Sequence, residues 1–266
     1  MTQNEDGRHA GQDDQLVRLE LTDLGEGLGR LATVVLDSPH NRNALSRRLV
    51  TELLDHLAAT DEDPEVKVVV IRSAHRVFCS GADLSEAATA PLEEGARAVV
   101  ELQRRIVAHR KPVVVVLGGP VRAGGTGIVA AADVVVASTE ATFALTEVKL
   151  GVTPAVISLT VLPRLTDRAA ALTALGGEVF DGATAAAYGL VTTVVAPDEL
   201  DAALDGVVGS LATGAPQGLA ETKALLNRDL LARIDAEGER LVALSARLFA
   251  SDAAREAMTA FFSRRR

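Results

Sequence analysis

The sequence predicts an α/β protein in which a mixed body is followed by a helical carboxyl-terminal part. Up to about residue 156, short valine-rich runs alternate with stretches whose apolar residues recur at helical spacing. Beyond that residue, an alanine- and leucine-rich helical pattern continues almost throughout. The composition agrees, because 48% of the residues are hydrophobic and only 3% are aromatic, so the core must be built from closely packing Ala, Val and Leu.

The individual elements follow from local patterns. Alternating apolar and polar residues over 16–24 and an apolar run over 30–38, separated by the glycine-rich GEGLG, predict a hairpin. Apolar residues at helical spacing predict helices over 43–63 and 92–110. Further strands are predicted over 66–74, 111–119, 133–138, 141–145 and 191–196.

Bulk properties disfavour several classes of protein. The net charge of −9 disfavours a nucleic-acid-binding protein, which usually presents a basic face. Cys79 is the single cysteine, so no intrachain disulfide is possible, and no pair of the five histidines has metal-ligand spacing. The polar residues 1–14 are expected to be disordered and lack the apolar stretch of a secretory signal. No run approaches the ~18 apolar residues of a membrane span, so a cytoplasmic protein without membrane contacts is expected.

Two tight turns each follow a predicted strand. One lies in RVFCSGADLSE (76–86) and the other in RAGGTGIV (122–129), and each leads from small residues into a helix start. Such a turn leaves backbone N–H groups without intrahelical partners, and small residues let a ligand oxygen approach them. Two of these turns on neighbouring strands would aim two N–H groups at one point, which is the geometry of an oxyanion hole.

Two other interpretations of these turns remain possible from the residues alone. Either turn could be an ordinary tight connection between a strand and a helix. The second turn could also be a dinucleotide-binding loop, but Asp133 comes only eight residues after Gly125, and a ribose-binding acid is expected about 20 residues on.

Four ordered blocks of the chain resemble the signature segments of the crotonase family, the enoyl-CoA hydratases and isomerases. The blocks are SPHNRNALSRRL, VFCSGADLSE, RAGGTGIVAAADVVVAS and FALTEVKLGVTPAVIS. The resemblance spans about residues 16–266 and implies the crotonase fold of repeated ββα units. It implies a core over 15–200 and a carboxyl-terminal helical region over 201–266 that builds a homotrimer or a dimer of trimers.

The resemblance also implies the ligand and its contacts. The substrate would be an acyl-coenzyme A thioester, with no further cofactor and no metal. The thioester oxygen would be held by the backbone N–H groups of Ala82 and Gly124. The coenzyme A portion would lie near five residues of the first two blocks: Arg42, Ala44, Ser80, Gly81 and Asp83.

Hydratases of the family use two glutamates to hold water and transfer protons, and only one is present here. Glu147 occupies the second position, whereas Gly127 occupies the first. The apolar sequence around Glu147 would raise its pKa and suit it to proton transfer near neutral pH. Alternatively, Glu147 would be half-exposed and paired with Lys149 or with an arginine. The resemblance implies an enoyl-CoA hydratase. Because Gly127 replaces one glutamate, two alternatives stay open: a one-glutamate enoyl-CoA isomerase and a non-catalytic acyl-CoA-binding protein.

The acyl pocket is expected to include Arg122, Gly127 and Leu84. Arg122 would recognise a carboxylate or another polar group on the acyl chain, or would form a surface salt bridge. Asp83 is also expected to cap the helix that follows it. A nucleophilic role for Cys79 or Ser80 would need a neighbouring histidine base and is not expected.

Overall fold

The computed structural model describes residues 15–83, 85, 86 and 91–263, and it confirms the mixed α/β architecture. Leu84, expected in the acyl pocket, and residues 1–14, expected to be disordered, lie outside the described residues. The strands are β1 (Val17–Asp23), β2 (Arg30–Leu36), β3 (Val66–Ser73), β4 (Val113–Leu117), β5 (Val121–Arg122), β6 (Val134–Ser138), β7 (Thr142–Ala144), β8 (Phe180–Asp181) and β9 (Thr193–Val195). The helices are α1 (Arg47–Glu62), α2 (Leu92–Ala108), α3 (Gly124–Ala131), α4 (Ser158–Arg164), α5 (Asp167–Gly176), α6 (Gly182–Ala187), α7 (Leu200–Ala212), α8 (Pro216–Phe249) and α9 (Asp252–Ser263).

The strands form two sheets. The larger sheet has the order β1-β2-β3-β4-β6-β9, in which β1 and β2 make the predicted antiparallel hairpin and the other neighbours are parallel. The smaller sheet has the order β5-β7-β8. Strands β5 and β8 were not predicted, because two residues are too few to show a period.

Strands β3 and β4 are nearly continuous runs of valine because both faces of the sheet are covered. Val69, Val113 and Val115 belong to the main core, which includes residues of α1, α2 and α3. Val68 and Val114, on the other face, belong to a second cluster with residues of α7. Parallel pairing of β3 with β4 places the ends of both strands, and therefore the two predicted turns, at one edge of the sheet.

Helix α1 begins four residues later than predicted. Arg42 and Asn43 have left-handed backbone conformations, with φ of 58° and 52°, which a helix cannot include. The helix begins after Ser46, whose Oγ accepts a hydrogen bond from the N–H of Leu49 at 3.3 Å.

The carboxyl-terminal part is helical, as predicted, and α8 runs unbroken for 34 residues along α2. A buried ion pair links α8 to the larger sheet: Lys223 Nζ lies 2.7 Å from Asp133 Oδ2. Lys223 also donates to the carbonyl oxygens of Ile106 and Lys111, so all its protons have acceptors. Asp133 in turn accepts from Asn227 Nδ2 at 3.0 Å, which adds a second link to the same helix.

Within the ranges given above, no helix is both long enough and apolar enough to cross a membrane.

The Lys223→Met variant is expected to lose about 3 kcal/mol of unfolding free energy, because Asp133 is left as an uncompensated, largely buried charge. Urea denaturation followed by circular dichroism measures the loss. The control is Arg104→Met, which removes an ion pair between α2 and α8 that is exposed to solvent, and which should cost much less. Equal losses in the two variants would contradict a special role for the buried pair.

Candidate active site

The first predicted turn, at residues 79–83, is held between two other segments. The N–H of Leu45 donates to Gly81 O at 2.8 Å, and the N–H of Arg122 donates to Cys79 O at 3.0 Å. Gly81 has a φ of +101°, which an L-residue rarely adopts. Asp83 Oδ1 accepts from the N–H of Ser85 at 3.0 Å. The helix that Asp83 was expected to cap would include residues outside the described ranges, so this capping stays a prediction. Hydrogen bonds from Ser85 keep the pKa of Asp83 low.

The second predicted turn starts helix α3 from a strained residue. Ala123 has φ +44° and ψ −117°, a combination that costs energy in any residue with a side chain. Gly124 follows as the first residue of α3, so its N–H lies at the positive end of the helix. Strain of this kind occurs where the surrounding structure needs a backbone group in one particular direction.

The two turns lie against each other. A Cβ at Gly124 would lie 3.8 Å from Ala82 N, and a Cβ at Gly81 would lie 3.8 Å from Gly124 N. Neither Ala82 N–H nor Gly124 N–H donates to an acceptor within the described ranges. Two N–H donors without acceptors among the described residues therefore lie on adjoining turns at one edge of the sheet. An oxyanion hole needs two such donors close together.

A side chain at position 124 would displace Leu45. A Cβ there would lie 2.7 Å from Leu45 Cδ1, closer than real Cβ contacts come. Leu45 is buried directly before α1 and is tied to Gly81 by its own N–H. Leu45 therefore packs against Gly124 as well as holding the first turn.

The residues expected to contact coenzyme A lie together beside the first turn. Ser80 Oγ donates to Asn41 O at 2.9 Å, and the N–H of Ser80 donates to Arg42 O at 3.1 Å. The N–H of Ala44 donates to Asn41 O at 3.3 Å, and Asn41 Nδ2 donates to Asp83 Oδ2 at 2.9 Å. Arg42 is exposed at the centre of this group, on the left-handed turn.

Glu147 begins a short 3-10 turn, Glu147–Leu150, that follows β7. Its side chain is only 8% exposed, and its Oε2 accepts no hydrogen bond from any described residue. Burial raises the pKa of Glu147 to about 7. The alternative of a half-exposed glutamate paired with Lys149 or an arginine is wrong, because Glu147 is buried and Lys149 Nζ lies 2.7 Å from Glu178 Oε1 instead. A carboxyl group in this state can take up and release a proton near neutral pH.

Gly127, where the family pattern has the first glutamate, lies on a filled part of the interior. A Cβ there would lie 2.9 Å from Ile157 Cγ2 and 3.2 Å from Gln103 Cδ and Oε1. Gln103 is fully buried, and its Nε2 donates to Val99 O at 3.1 Å and to Val156 O at 3.2 Å. Its Oε1 accepts from Thr160 Oγ1 at 2.6 Å. A second carboxylate has no room at this position.

Sequence reasoning missed Gln103. The signal was present, because it is the single amide among the apolar residues that α2 turns toward the core. The contacts of Gln103 depend on how α3 and α4 pack against α2. The spacing of residues along α2 does not reveal that packing.

Comparison with known proteins agrees with this geometry. Residues 27–266 match the sequence model of the enoyl-CoA hydratase/isomerase family. The chain belongs to this family. It is similar to the crystal structure of an enoyl-CoA hydratase from Mycobacterium avium, with a TM-score of 0.87 and 46% identity, covering 94% of this chain and 97% of that one. The crotonase fold implied by the sequence blocks is thereby confirmed.

Two curated relatives show the range of the family. A probable enoyl-CoA hydratase of Rhizobium meliloti is 32% identical over 91% of this chain and 95% of its own length. A peroxisomal Delta(3,5)-Delta(2,4)-dienoyl-CoA isomerase of Arabidopsis thaliana is 26% identical over 88% of this chain and 90% of its own length. Hydratases and isomerases of the family thus both resemble this chain.

Arg122 is engaged with the smaller sheet. Its Nη1 donates to Val121 O at 2.8 Å and to Thr142 O at 2.7 Å, and its Nη2 donates to Thr142 Oγ1 at 3.1 Å. The guanidinium therefore ties β5 to β7, next to Ala123 and the second turn. Recognition of an acyl-chain carboxylate stays a prediction.

Other chemistry at the first turn finds no support in the geometry. Cys79 is fully buried, and burial raises the pKa of its thiol to about 12. His75 Nε2 bonds to Asp37 Oδ1 at 2.7 Å, so this ring is occupied elsewhere. Among the described residues, no three His, Cys, Asp or Glu side chains come together as metal ligands.

Replacement of Glu147 by Gln is expected to stabilise the protein at alkaline pH. The folded-state pKa is raised to about 7 from 4.5, so the folded protein holds this proton more tightly and loses stability as pH rises between those values. Each pKa unit corresponds to about 1.4 kcal/mol, so Glu147→Gln should gain up to about 3 kcal/mol at pH 8 and much less at pH 5.

Urea unfolding of both proteins at pH 8 and pH 5 measures this difference. Glu140→Gln, at an exposed glutamate, is the matched control and should match the wild type at both pH values. Equal stability of Glu147→Gln and the wild type at pH 8 would contradict the burial of a charged carboxylate.

Proposed function

We propose that the protein is an enoyl-CoA hydratase that adds water to a 2-enoyl-CoA thioester. The observation that carries the proposal is the buried Glu147 carboxyl, whose pKa of about 7 lets it serve as both base and acid. The facing N–H groups of Ala82 and Gly124 support it, because they offer two donors to a thioester oxygen. Membership of the enoyl-CoA hydratase/isomerase family supports the substrate class.

The proposed reaction uses one carboxyl group twice. The Glu147 carboxylate takes a proton from water as the water oxygen bonds to the β-carbon of the substrate. The electron pair of the double bond shifts toward the thioester, and the oxygen gains negative charge opposite the Ala82 and Gly124 N–H groups. Glu147 then returns its proton to the α-carbon as the enolate collapses, which leaves a 3-hydroxyacyl-CoA and the carboxylate restored.

The filled space at Gly127 favours a second candidate, an enoyl-CoA isomerase. Ile157 and Gln103 leave no room for a second carboxylate to hold water there. A single carboxyl can remove a proton from the α-carbon of a 3-enoyl-CoA and return it to the γ-carbon without any water. The resemblance to a dienoyl-CoA isomerase is consistent with such chemistry.

The test follows the conjugated enoyl absorbance of a panel of 2-enoyl- and 3-enoyl-CoA esters of differing chain length and branching. Hydration removes the absorbance of 2-enoyl esters, and isomerisation creates absorbance from 3-enoyl esters. We expect hydration in the wild type and in Glu140→Gln, and its loss by at least about 10²-fold in Glu147→Gln.

Other results would redirect the assignment. Gain of absorbance from 3-enoyl esters, without hydration, would make the protein an isomerase. If the esters bind without any turnover, the protein is an acyl-CoA-binding member of the family and the enzymatic proposal fails. Hydration that survives in Glu147→Gln would remove Glu147 from the mechanism.

The Gly124→Ala variant is expected to lower kcat by about 10²-fold, because the methyl group crowds the gap between the two N–H donors. Leu45 Cδ1 is the end of a flexible side chain and can move aside, so the fold should survive. Gly95→Ala, on a helix position with open space around it, is the control and should keep full activity. Unchanged kcat in Gly124→Ala would argue against an oxyanion hole at this place.

A homotrimer, or a dimer of trimers, is the proposed assembly. An apolar patch formed by Leu172, Leu175, Val179 and Val148 lies exposed at the end of α5, with exposures between 40% and 75%. The patch continues onto the turn of Glu147, because Val148 Cγ1 would lie 3.2 Å from a Cβ at Gly177. A contiguous apolar surface of this kind is typical of a subunit contact.

The Leu175→Glu variant is expected to dissociate the assembly, because it introduces a charge into the middle of the patch. Size-exclusion chromatography with light scattering measures the mass. Leu21→Glu changes an exposed leucine on β1, outside the carboxyl-terminal helices, and should leave the mass unchanged. A wild-type protein that is already monomeric would refute the trimer.

A further inference from the structure

The turn that carries Glu147 ends at a glycine on which the last helix rests. Gly151 has a left-handed φ of +73°, and its N–H donates to Val148 O at 3.3 Å. A Cβ at Gly151 would lie 2.9 Å from Ala253 O and 3.0 Å from Ala254 Cα. The backbone of α9 thus lies directly against the end of the Glu147 turn.

Helix α9 is fixed where it makes this contact. Ser251 Oγ accepts from the N–H of Ala254 at 3.2 Å and donates to Leu248 O at 2.7 Å. Ala254 has no exposed surface. The first turn of α9 is therefore anchored to the end of α8 and cannot shift away from Gly151 without breaking these bonds.

A second glycine holds the same segment from helix α5. Gly177, which ends α5 with φ +62°, would place a Cβ 3.1 Å from Leu145 O and 3.1 Å from Lys149 Cε. The segment 145–151 is consequently held between two helix ends at points where a side chain does not fit. Within it, the N–H of Val152 donates to Glu147 O at 3.1 Å, which fixes the backbone of Glu147 itself.

We propose that Gly151 is a positioning residue for Glu147: the close contact of α9 with Gly151 keeps the Glu147 carboxyl group buried and aimed at the substrate. This inference rests on the proposed function of Glu147. It assigns the carboxyl-terminal helix a part in the chemistry, although α9 holds no group that the proposed reaction uses.

In this proposal, the contact of α9 with Gly151 acts on the burial of the Glu147 carboxyl and not through a neighbouring charge. The charged groups near the turn are paired with each other: Lys149 with Glu178, and Asp252 with Arg255 on α9. The other ionisable groups on the two packed helices are Glu256 on α9 and Asp167 and Arg168 at the far end of α5. The raised pKa of Glu147 arises from burial and is opposed only by a hydrogen bond to its own backbone. Displacing α9 should therefore admit water and lower this pKa.

The test is the pH dependence of the Gly151→Ala variant. We expect the acid limb of kcat/KM to move down by about one pH unit toward the range of an ordinary glutamate, with kcat reduced by about tenfold. The KM for the CoA ester should change by less than about threefold, because the residues expected to hold coenzyme A lie on the other turns.

A matched control separates the effect of the α9 contact at Gly151 from the cost of placing an alanine at a positive φ. Gly27 has φ +76° and open space around it, so Gly27→Ala carries similar backbone strain without a contact. Its pH profile should equal that of the wild type. If Gly151→Ala does not fold, Ala254→Val crowds the same interface from α9 and should shift the profile in the same direction.

A readout that needs no turnover distinguishes this inference from the proposed function. The stability gained by Glu147→Gln at pH 8 reports the burial of the carboxylate, and it should shrink when Gly151→Ala is also present. An unchanged gain, or an unchanged acid limb, would overturn the positioning role. If the stability gain of Glu147→Gln shrinks but no ester is turned over, the positioning role of Gly151 stands and the enzymatic proposal is refuted.

Discussion

The contact between two backbone turns, at Gly81–Ala82 and at Gly124, is the constraint on which the site depends. Parallel pairing of β3 with β4 brings the turns to one edge, and the glycines let them approach until two N–H groups lie side by side. Leu45 packs against Gly124 from the segment before α1. Ala123 has a strained conformation directly before the first residue of α3, at this contact.

The site is also where the protein gives up stability. Ala123 has a costly backbone conformation, and Glu147 leaves a carboxylate oxygen buried without a hydrogen bond. These costs are offset by the densely packed valines of β3 and β4, which are covered on both faces. The raised pKa of Glu147 is the useful consequence, because a carboxyl that is held neutral by burial can donate its proton as well as accept one.

The surroundings of Gly127 differ in kind from those of Glu147. Gln103 is bonded to α2 itself, to Val156 and to Thr160, so it is a fixed part of the core. This packing leaves no room for a glutamate at position 127, where the resemblance implied one. The segment around Glu147 is held by α5 and α9 instead, two helices that approach it only in the folded chain. Position 127 is therefore enclosed by core side chains, whereas the Glu147 segment is held by neighbouring helices. Contacts between residues distant in the chain decide both.

Patterns in the sequence determined the α/β class, the hairpin, the valine-rich strands and both turns, because periodicity and glycine placement are local properties. The candidate role of Glu147 came from its apolar neighbours and from the resemblance to the enoyl-CoA hydratase/isomerase family. The two-residue strands β5 and β8 and the late start of α1 were decided by pairing partners and by the left-handed Arg42 and Asn43. The ion pair of Lys149 with Glu178, and the contact of Gly151 with α9, join segments distant in the chain. Such contacts have no local signature, because the partner of a buried side chain is chosen by how the helices pack around the sheet.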